Sequence, residues 1–333
     1  MIGSHVIPRF YLEQFSTPSK RGKSKPGRLW VYERGKEPSQ RATSIQGVRN
    51  GYFGYVQPDG SFEESFESDL ARLERECNDV LICARSDLFH WPRHSQEKLA
   101  CYAALLYSRA TQRRDSSQKN HIQIVNQMRL ASQDRALIND LSQAVSKKIG
   151  GEIPKELVLE AITGWLEKAQ QPEMSRNAFL SDLLDNARLI ANCLLNKKPW
   201  RVLRPATGNE FVTSDNPLVT FLPLETEKLV PGFGFNRKEA VAAFPLAPSA
   251  CLVMGEWHTA RTELTPSAHH ELTEVFARIA DRYVYSRQHS SEVREIVDRI
   301  GGTSRYGVNA FIPDVNPPDV RQILRLHFGL DSD

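Results

Sequence analysis

The chain lacks the features that assign many proteins to a class. No apolar run approaches the roughly 20 residues that span a bilayer, and the first residues lack the charged-then-apolar order of a signal peptide. The expectation is a cytoplasmic protein with no membrane partner. An excess of one charge is also missing. Lys and Arg number 43 against 40 Asp and Glu, a net charge of +3 over 333 residues, so a nucleic-acid footprint has to come from local clustering. Cysteine is sparse and scattered: Cys77, Cys83, Cys101, Cys193 and Cys251 form no CxxC. They read as reduced core residues rather than zinc ligands or disulfides. There is no HxH, no HNH-like pattern, no nucleophile elbow and no internal repeat. Gly232-Phe-Gly234-Phe lacks the strand–glycine–helix setting of a nucleotide loop.

What is present begins at residue 5. His5-Val-Ile-Pro8-Arg9-Phe10-Tyr11-Leu12-Glu-Gln-Phe15 places a titratable ring, a φ-locking proline and three aromatics in eleven positions. Such a segment is tied into the fold rather than frayed, and Pro8 suits the start of a short helix. A basic Gly/Ser/Pro-rich loop, Ser16 to Arg28, follows. It reads as a solvated linker or, more sharply, as a phosphate contact. Arg28–Tyr32 and Gly51–Val56 read as strands, the second ended by the Pro58-Asp-Gly60 turn.

From Phe62 to about Ser86 the period changes: Phe66, Leu70, Leu73, Cys77, Val80 and Leu81 recur at three and four, which predicts a helix. Others are predicted at about 95–114, 119–149, 155–170 and 175–197. At Trp200 the texture turns to β. Strands are predicted at 200–203, 210–217, 240–245 and 251–254, with a last amphipathic helix over 271–285 and a loop-rich tail from 301. The expected fold is α+β: a mostly antiparallel sheet from the N- and C-terminal strands, with a large central helical region packed on it. One compact unit is expected over 1–333, with sub-regions 1–60, 62–197, 198–286 and 287–333.

Several of these stretches resemble the DUF4238 family. They are His5-x-x-Pro8-x-Phe10-Tyr11-Leu12-x-x-Phe15, Trp30-Val-Tyr32, Tyr52-Phe53, Glu67 and Glu74, Arg109 and Arg113, Phe211-Val-Thr213-Ser214-Asp215-Asn216-Pro217 and Pro245-Leu246-Ala-Pro248. Ala110-Thr111 departs from the threonine-proline that often follows the first arginine. The resemblance implies an uncharacterised bacterial or prophage protein, in a family some of whose members are associated with defence against phages. It assigns no catalytic residues.

The chemistry therefore rests on the residues. Asp215 and Asn216 follow a strand, where a Thr-Ser-Asp-Asn-Pro turn either fixes its own backbone or presents a ligand. Glu67 and Glu74 lie two helical turns apart, and Arg109 and Arg113 one turn apart. These four read as a buried ion-pair network pinning two helices or as an anion grip. His5 is a satisfied core histidine or a general base.

Taken together the residues compose a kit for metal-assisted phosphodiester hydrolysis. In it His5, Glu67, Asp215 and Asn216 are catalytic, and Arg109, Arg113 and Arg9 bind substrate. Asp215 and Glu67 hold a divalent Mg²⁺ or Mn²⁺ ion. The alternatives are a non-enzymatic sensor or binder of a phage protein or nucleic acid, and a purely structural interaction module.

Overall fold

The computed structural model describes residues 3–18, 26–57, 61–63, 65–84, 92–170, 172–257 and 262–302. The centre of the basic loop, the Pro58–Gly60 turn and the tail beyond 302 lie outside them. The described residues fall into two compact units: the first takes in those up to Arg114 and those from Asp182 onward, the second those of Asp115–Ser181.

The N-terminal part of the first unit runs β1 (Gly3–His5), α1 (Arg9–Glu13), β2 (Arg28–Glu33), β3 (Ser39–Ala42), β4 (Val48–Asn50), β5 (Tyr55–Val56), β6 (Phe62–Glu63), α2 (Ser65–Cys83) and α3 (Arg93–Ser108). Four helices follow: α4 (Thr111–Ser132), α5 (Arg135–Ile149), α6 (Lys155–Ala169) and α7 (Pro172–Asn196). The chain then returns to β7 (Trp200–Leu203), β8 (Thr213–Ser214), β9 (Val219–Pro223), β10 (Leu229–Pro231), β11 (Val241–Ala247), β12 (Ala250–Met254), α8 (Pro266–Ile279), β13 (Tyr283–Ser286) and α9 (Ser291–Glu295).

The fold is α+β with antiparallel sheets. The expected union of the two ends of the chain is found in a four-stranded sheet of order β3-β2-β13-β8, in which Tyr283–Ser286 pairs with Trp30–Glu33. A second sheet, β10-β9-β11-β12-β7, is built wholly from the C-terminal part. Tyr32 and Val284 of the first sheet and Val219, Phe221, Val241 and Val253 of the second share one core with Leu272, Val275 and Phe276 of α8. Thr265 starts α8 by accepting the Ala268 N–H at 3.1 Å, and Pro266 occupies its first turn, where its missing N–H leaves nothing unpaired.

Within the second unit, α4, α5 and α6 close a core of their own around Met128, Leu137, Leu141, Val158, Ile162 and Leu166. The single helix predicted over 119–149 breaks at Asp134, whose carboxylate accepts the N–H groups of Ala136 and Leu137 and so starts α5. Gly150, at φ 76°, ends it.

Three further expectations are corrected. The helix predicted over 95–114 ends at Ser108, and Ala110 separates it from α4. The helix predicted over 271–285 ends at Ile279, and residues 283–286 form β13, an inner strand. Gly51–Gly54 are a turn between β4 and β5, and of 210–217 only Thr213–Ser214 is strand. None of the five cysteines is bonded, but Cys83 and Cys101 are exposed rather than in the core.

Candidate functional site

The site grows from the two helices α2 and α3. They run antiparallel: Cys77 Sγ meets the Lys98 carbonyl at 3.6 Å, while Glu74, one turn earlier on α2, reaches Arg109 just past the end of α3. The seven-residue spacing predicted for Glu67 and Glu74 is two turns, so both carboxylates lie along one side of α2. The same spacing on the partner helix relates Tyr102 to Arg109. Arg109 is fully buried, and its Nη1 donates to Glu74 Oε1 at 2.7 Å. Its other edge, Nε and Nη2, has no hydrogen-bond partner among the described residues. That edge is the side of the guanidinium fork that holds two oxygens at once.

Three more polar atoms of the same unit are buried and unpartnered among the described residues. Tyr102 is 1% exposed and its hydroxyl has no partner among the described residues. Its ring is held between Phe10 and Phe244, at 5.9 and 6.2 Å. Burial drives its phenol well above the usual range, Arg109 opposes this and Glu74 adds to it. The hydroxyl thus keeps its proton and is a donor. Glu67 Oε1 and His5 Nδ1 are likewise buried and unpartnered.

His5 ends β1, which pairs with β4, and its ring hydrogen-bonds the Gln46 backbone. Burial holds the imidazole below its usual pKa, while the Gln46 bond and the charges of Glu74 and Glu67 pull it back up and Arg9 pushes it down. The ring is therefore neutral near pH 7, and Nδ1 is available as an acceptor. Arg9 lies on the exposed side and pairs with Glu13 at 2.7 Å.

The charges of Glu74, Arg9 and Glu67 thus act on His5, and Glu74 also pairs with Arg109. Asp215, Asn216 and Arg113 are not in this group. Asp215 Oδ1 accepts the Asp281 N–H at 2.8 Å, and Oδ2 accepts those of Arg282 and Tyr283 at 2.8 and 3.0 Å. Asn216 Nδ2 donates to the Ile279 carbonyl at 3.3 Å, and its backbone N–H donates to Ser214 Oγ. The Ser-Asp-Asn-Pro turn therefore clamps the end of α8 and the entry to β13, which is also why that helix stops where it does.

Burial, then the Asp281 carboxylate, pushes Asp215 well above the usual carboxyl range against those three N–H bonds. Arg113 stacks on Tyr107 at 4.1 Å and faces Asp281. Its own pKa is pushed down to about 10 by burial, with Asp281 opposing. The predicted arginine pair is thus split between two neighbourhoods, because the helix breaks at Ala110 between them. Among the described residues no group of three or more His, Cys, Asp or Glu is placed to hold a metal ion, and Asp215 and Glu67 do not face one another.

The stretches that carry the resemblance converge in one place. The Tyr11 hydroxyl donates to the Pro245 carbonyl at 2.8 Å and shares a 2.8 Å hydrogen bond with Thr213 Oγ1. Its ring stacks on Phe244 at 5.5 Å. The Tyr52 hydroxyl donates to the Arg109 carbonyl at 3.3 Å. Residues 4–294 match the family described as protein of unknown function, DUF4238. The chain belongs to DUF4238. No curated protein and no solved structure matches it. In this DUF4238 fold Tyr102 is the functional candidate that sequence reasoning missed. It sits in the apolar stripe of α3, and only its seven-residue spacing from Arg109 marks it.

Proposed function

We propose that this DUF4238 protein binds a phosphoester at the Arg109 centre and hydrolyses it. The observation that carries the reading is the buried guanidinium of Arg109, fixed at one nitrogen by Glu74 and open at Nε and Nη2. A fork of this kind suits two phosphoryl oxygens. His5 Nδ1 takes a proton from the attacking water, whose oxygen forms the new bond to phosphorus. The ester P–O bond breaks with its electrons on the alcohol oxygen, which is protonated from solvent. Glu67 orients the water by accepting its second hydrogen. Asp215 and Asn216 have no part in the step; they hold the framework. Nucleic-acid phosphoesters are the substrates that the defence association of the resemblance points to.

The test is cleavage of chromogenic phosphomonoesters and phosphodiesters and of short DNA and RNA, with Mg²⁺, with Mn²⁺ and with EDTA. Arg109→Gln is expected to lower the rate by about 100-fold or more, and His5→Gln to lower it while flattening its dependence on pH. Full activity of Arg109→Gln, or no cleavage of any substrate by the wild type, would overturn the reading.

A further inference from the structure

We propose that a cavity at the C-terminal end of α7 binds a small organic phosphate, its phosphoryl group on Lys197, Lys198 and Lys238 and its apolar part on Leu222, Pro223 and Leu224. The cavity measures about 1090 Å³ and is lined wholly by residues of the first unit. Its walls are the end of α7 with the two lysines that follow it, the end of β9, residues 235–239, and Gly255 and Glu256 after β12. That volume suits an organic molecule rather than a lone ion.

Charge indicates what the cavity takes. Four cations stand on its walls against two carboxylates, Glu239 and Glu256, both exposed. Arg237 is 3.4 Å from Glu239 and lies over the Phe233 ring at 5.0 Å, so the guanidinium on the wall is already engaged. The lysines differ: among the described residues no carboxylate lies within ion-pair distance of Lys197, Lys198 or Lys238. Lys197 is 7% exposed, and its Nζ donates to the Arg237 and Ala240 carbonyls at 2.9 and 2.5 Å. The first of these bonds ties Nζ to a wall of the cavity. An ammonium has three donors, and no described residue takes the third. Lys198 Nζ donates to a neutral group, the Gln96 amide oxygen, at 2.8 Å. A buried charge without a counter-charge is costly. Burial accordingly holds Lys197 below the usual lysine range, with Cys193 and Glu239 opposing. An anion in the cavity supplies what the protein leaves out.

The donors favour phosphate over carboxylate. A planar carboxylate is best held by a free guanidinium fork, which the engaged Arg237 does not offer. Ammonium groups are compact point charges, and three of them suit an anion whose oxygens are directed apart. The apolar wall asks for more than inorganic phosphate. Leu224 is 46% exposed beside Leu222 and Pro223, a surface that a bare ion leaves in water.

Calorimetric titration of the full chain with phenylphosphonate, inorganic phosphate and benzoate tests this. Phenylphosphonate has no ester bond to cleave, so binding is read without turnover. It is expected to bind at least about tenfold more tightly than phosphate or benzoate, and added salt should weaken it. Lys198→Glu combined with Lys238→Glu, at two exposed positions, should weaken phenylphosphonate at least about tenfold with an unchanged melting temperature. Lys197→Met should abolish binding; because it also frees two carbonyls, the exposed double variant decides the matter if Lys197→Met does not fold. Arg109→Gln should bind as the wild type does, which separates this cavity from the Arg109 centre. No binding of phenylphosphonate by the wild type would overturn the proposal, as would phosphate or benzoate binding equally tightly. So would loss of binding in Arg109→Gln with the lysine double variant unaffected. The cleavage assays above decide the reading of Arg109 independently.

Discussion

Two buried polar regions of the first unit use the same residue types to opposite ends. At Asp215 a carboxylate is met by three backbone N–H groups, and the neighbouring Asn216 amide caps the last carbonyl of α8. At Arg109 a guanidinium is met by one carboxylate, and two of its nitrogens have no partner among the described residues, as is also true of the Tyr102 hydroxyl, Glu67 Oε1 and His5 Nδ1. The first arrangement joins distant parts of one backbone, as a structural device does. In the second, polar groups are desolvated without compensation inside the protein, which folding alone does not reward. Charge and burial do not tell them apart, since both hold buried Arg or Asp. What differs is the charged group itself: Asp215 has three hydrogen-bond partners, though Asn216 Oδ1 beside it has none among the described residues, whereas Arg109 has one side-chain partner.

The comparison breaks most readily at Asp215. Asp215→Ala leaves three N–H donors without their acceptor at the α8–β13 connection and should cost about 3 kcal/mol or more. Urea denaturation of the variant gives the number; a loss below about 1 kcal/mol would return Asp215 to the list of candidate functional groups. Asn216→Ala removes the amide bond to Ile279 and is expected to cost about 1 kcal/mol. Its near-UV spectrum should stay that of the wild type.

Arg109 gives the contrasting case. Arg109→Met removes the ion pair to Glu74, but it also removes two buried donors that have no partner, each worth about 1–3 kcal/mol of desolvation. Glu74 is partly exposed and regains water. The two effects offset, and stability should stay within about 1 kcal/mol of the wild type while phosphoester cleavage is lost. A loss as large as that of Asp215→Ala would make Arg109 a structural residue and end the distinction.

How much of this was legible follows from where each signal lies. Spacing placed Glu67 and Glu74 on one side of a helix, and the aromatics after Pro8 marked an anchored terminus. Tyr11, Leu12 and Phe15 are indeed fully buried. The sharing of a sheet by the two ends of the chain was also readable from the order of strands and helices. The end of α8 was not, because Tyr283 and Val284 continue the apolar stripe of Leu272, Val275, Phe276 and Ile279 and hide the change of period. What stops the helix is Asp215, more than sixty residues earlier, and local pattern carries no such information. The same limit explains the split of Arg109 from Arg113: four residues apart reads as one face, and the break at Ala110 turns them to different neighbours. Tyr102 was hidden by its chemistry, an apolar ring with one polar atom, so a helical stripe absorbs it.

His5 provides the smallest and most specific test of the contrast. In the folded protein burial favours its neutral form, so its pKa lies below the 6.5 of a free histidine. Between those two values the unfolded chain binds a proton that the folded chain does not. The contribution of His5 to stability is therefore fully present above pH 6.5 and is lost as pH falls through the folded value. His5→Gln should remove that part of the pH dependence, by less than about 1 kcal/mol because the ring is only half-buried. Comparing denaturation of the two proteins at pH 5 and pH 7.5 isolates it from the other histidines. Glu74 acts on the same ring by raising its pKa, so Glu74→Gln should widen the window and steepen the loss of stability below pH 6.5. If the variant instead left that slope unchanged, His5 and the Arg109–Glu74 pair would be electrostatically independent. The polar atoms here would then be separate features rather than one centre.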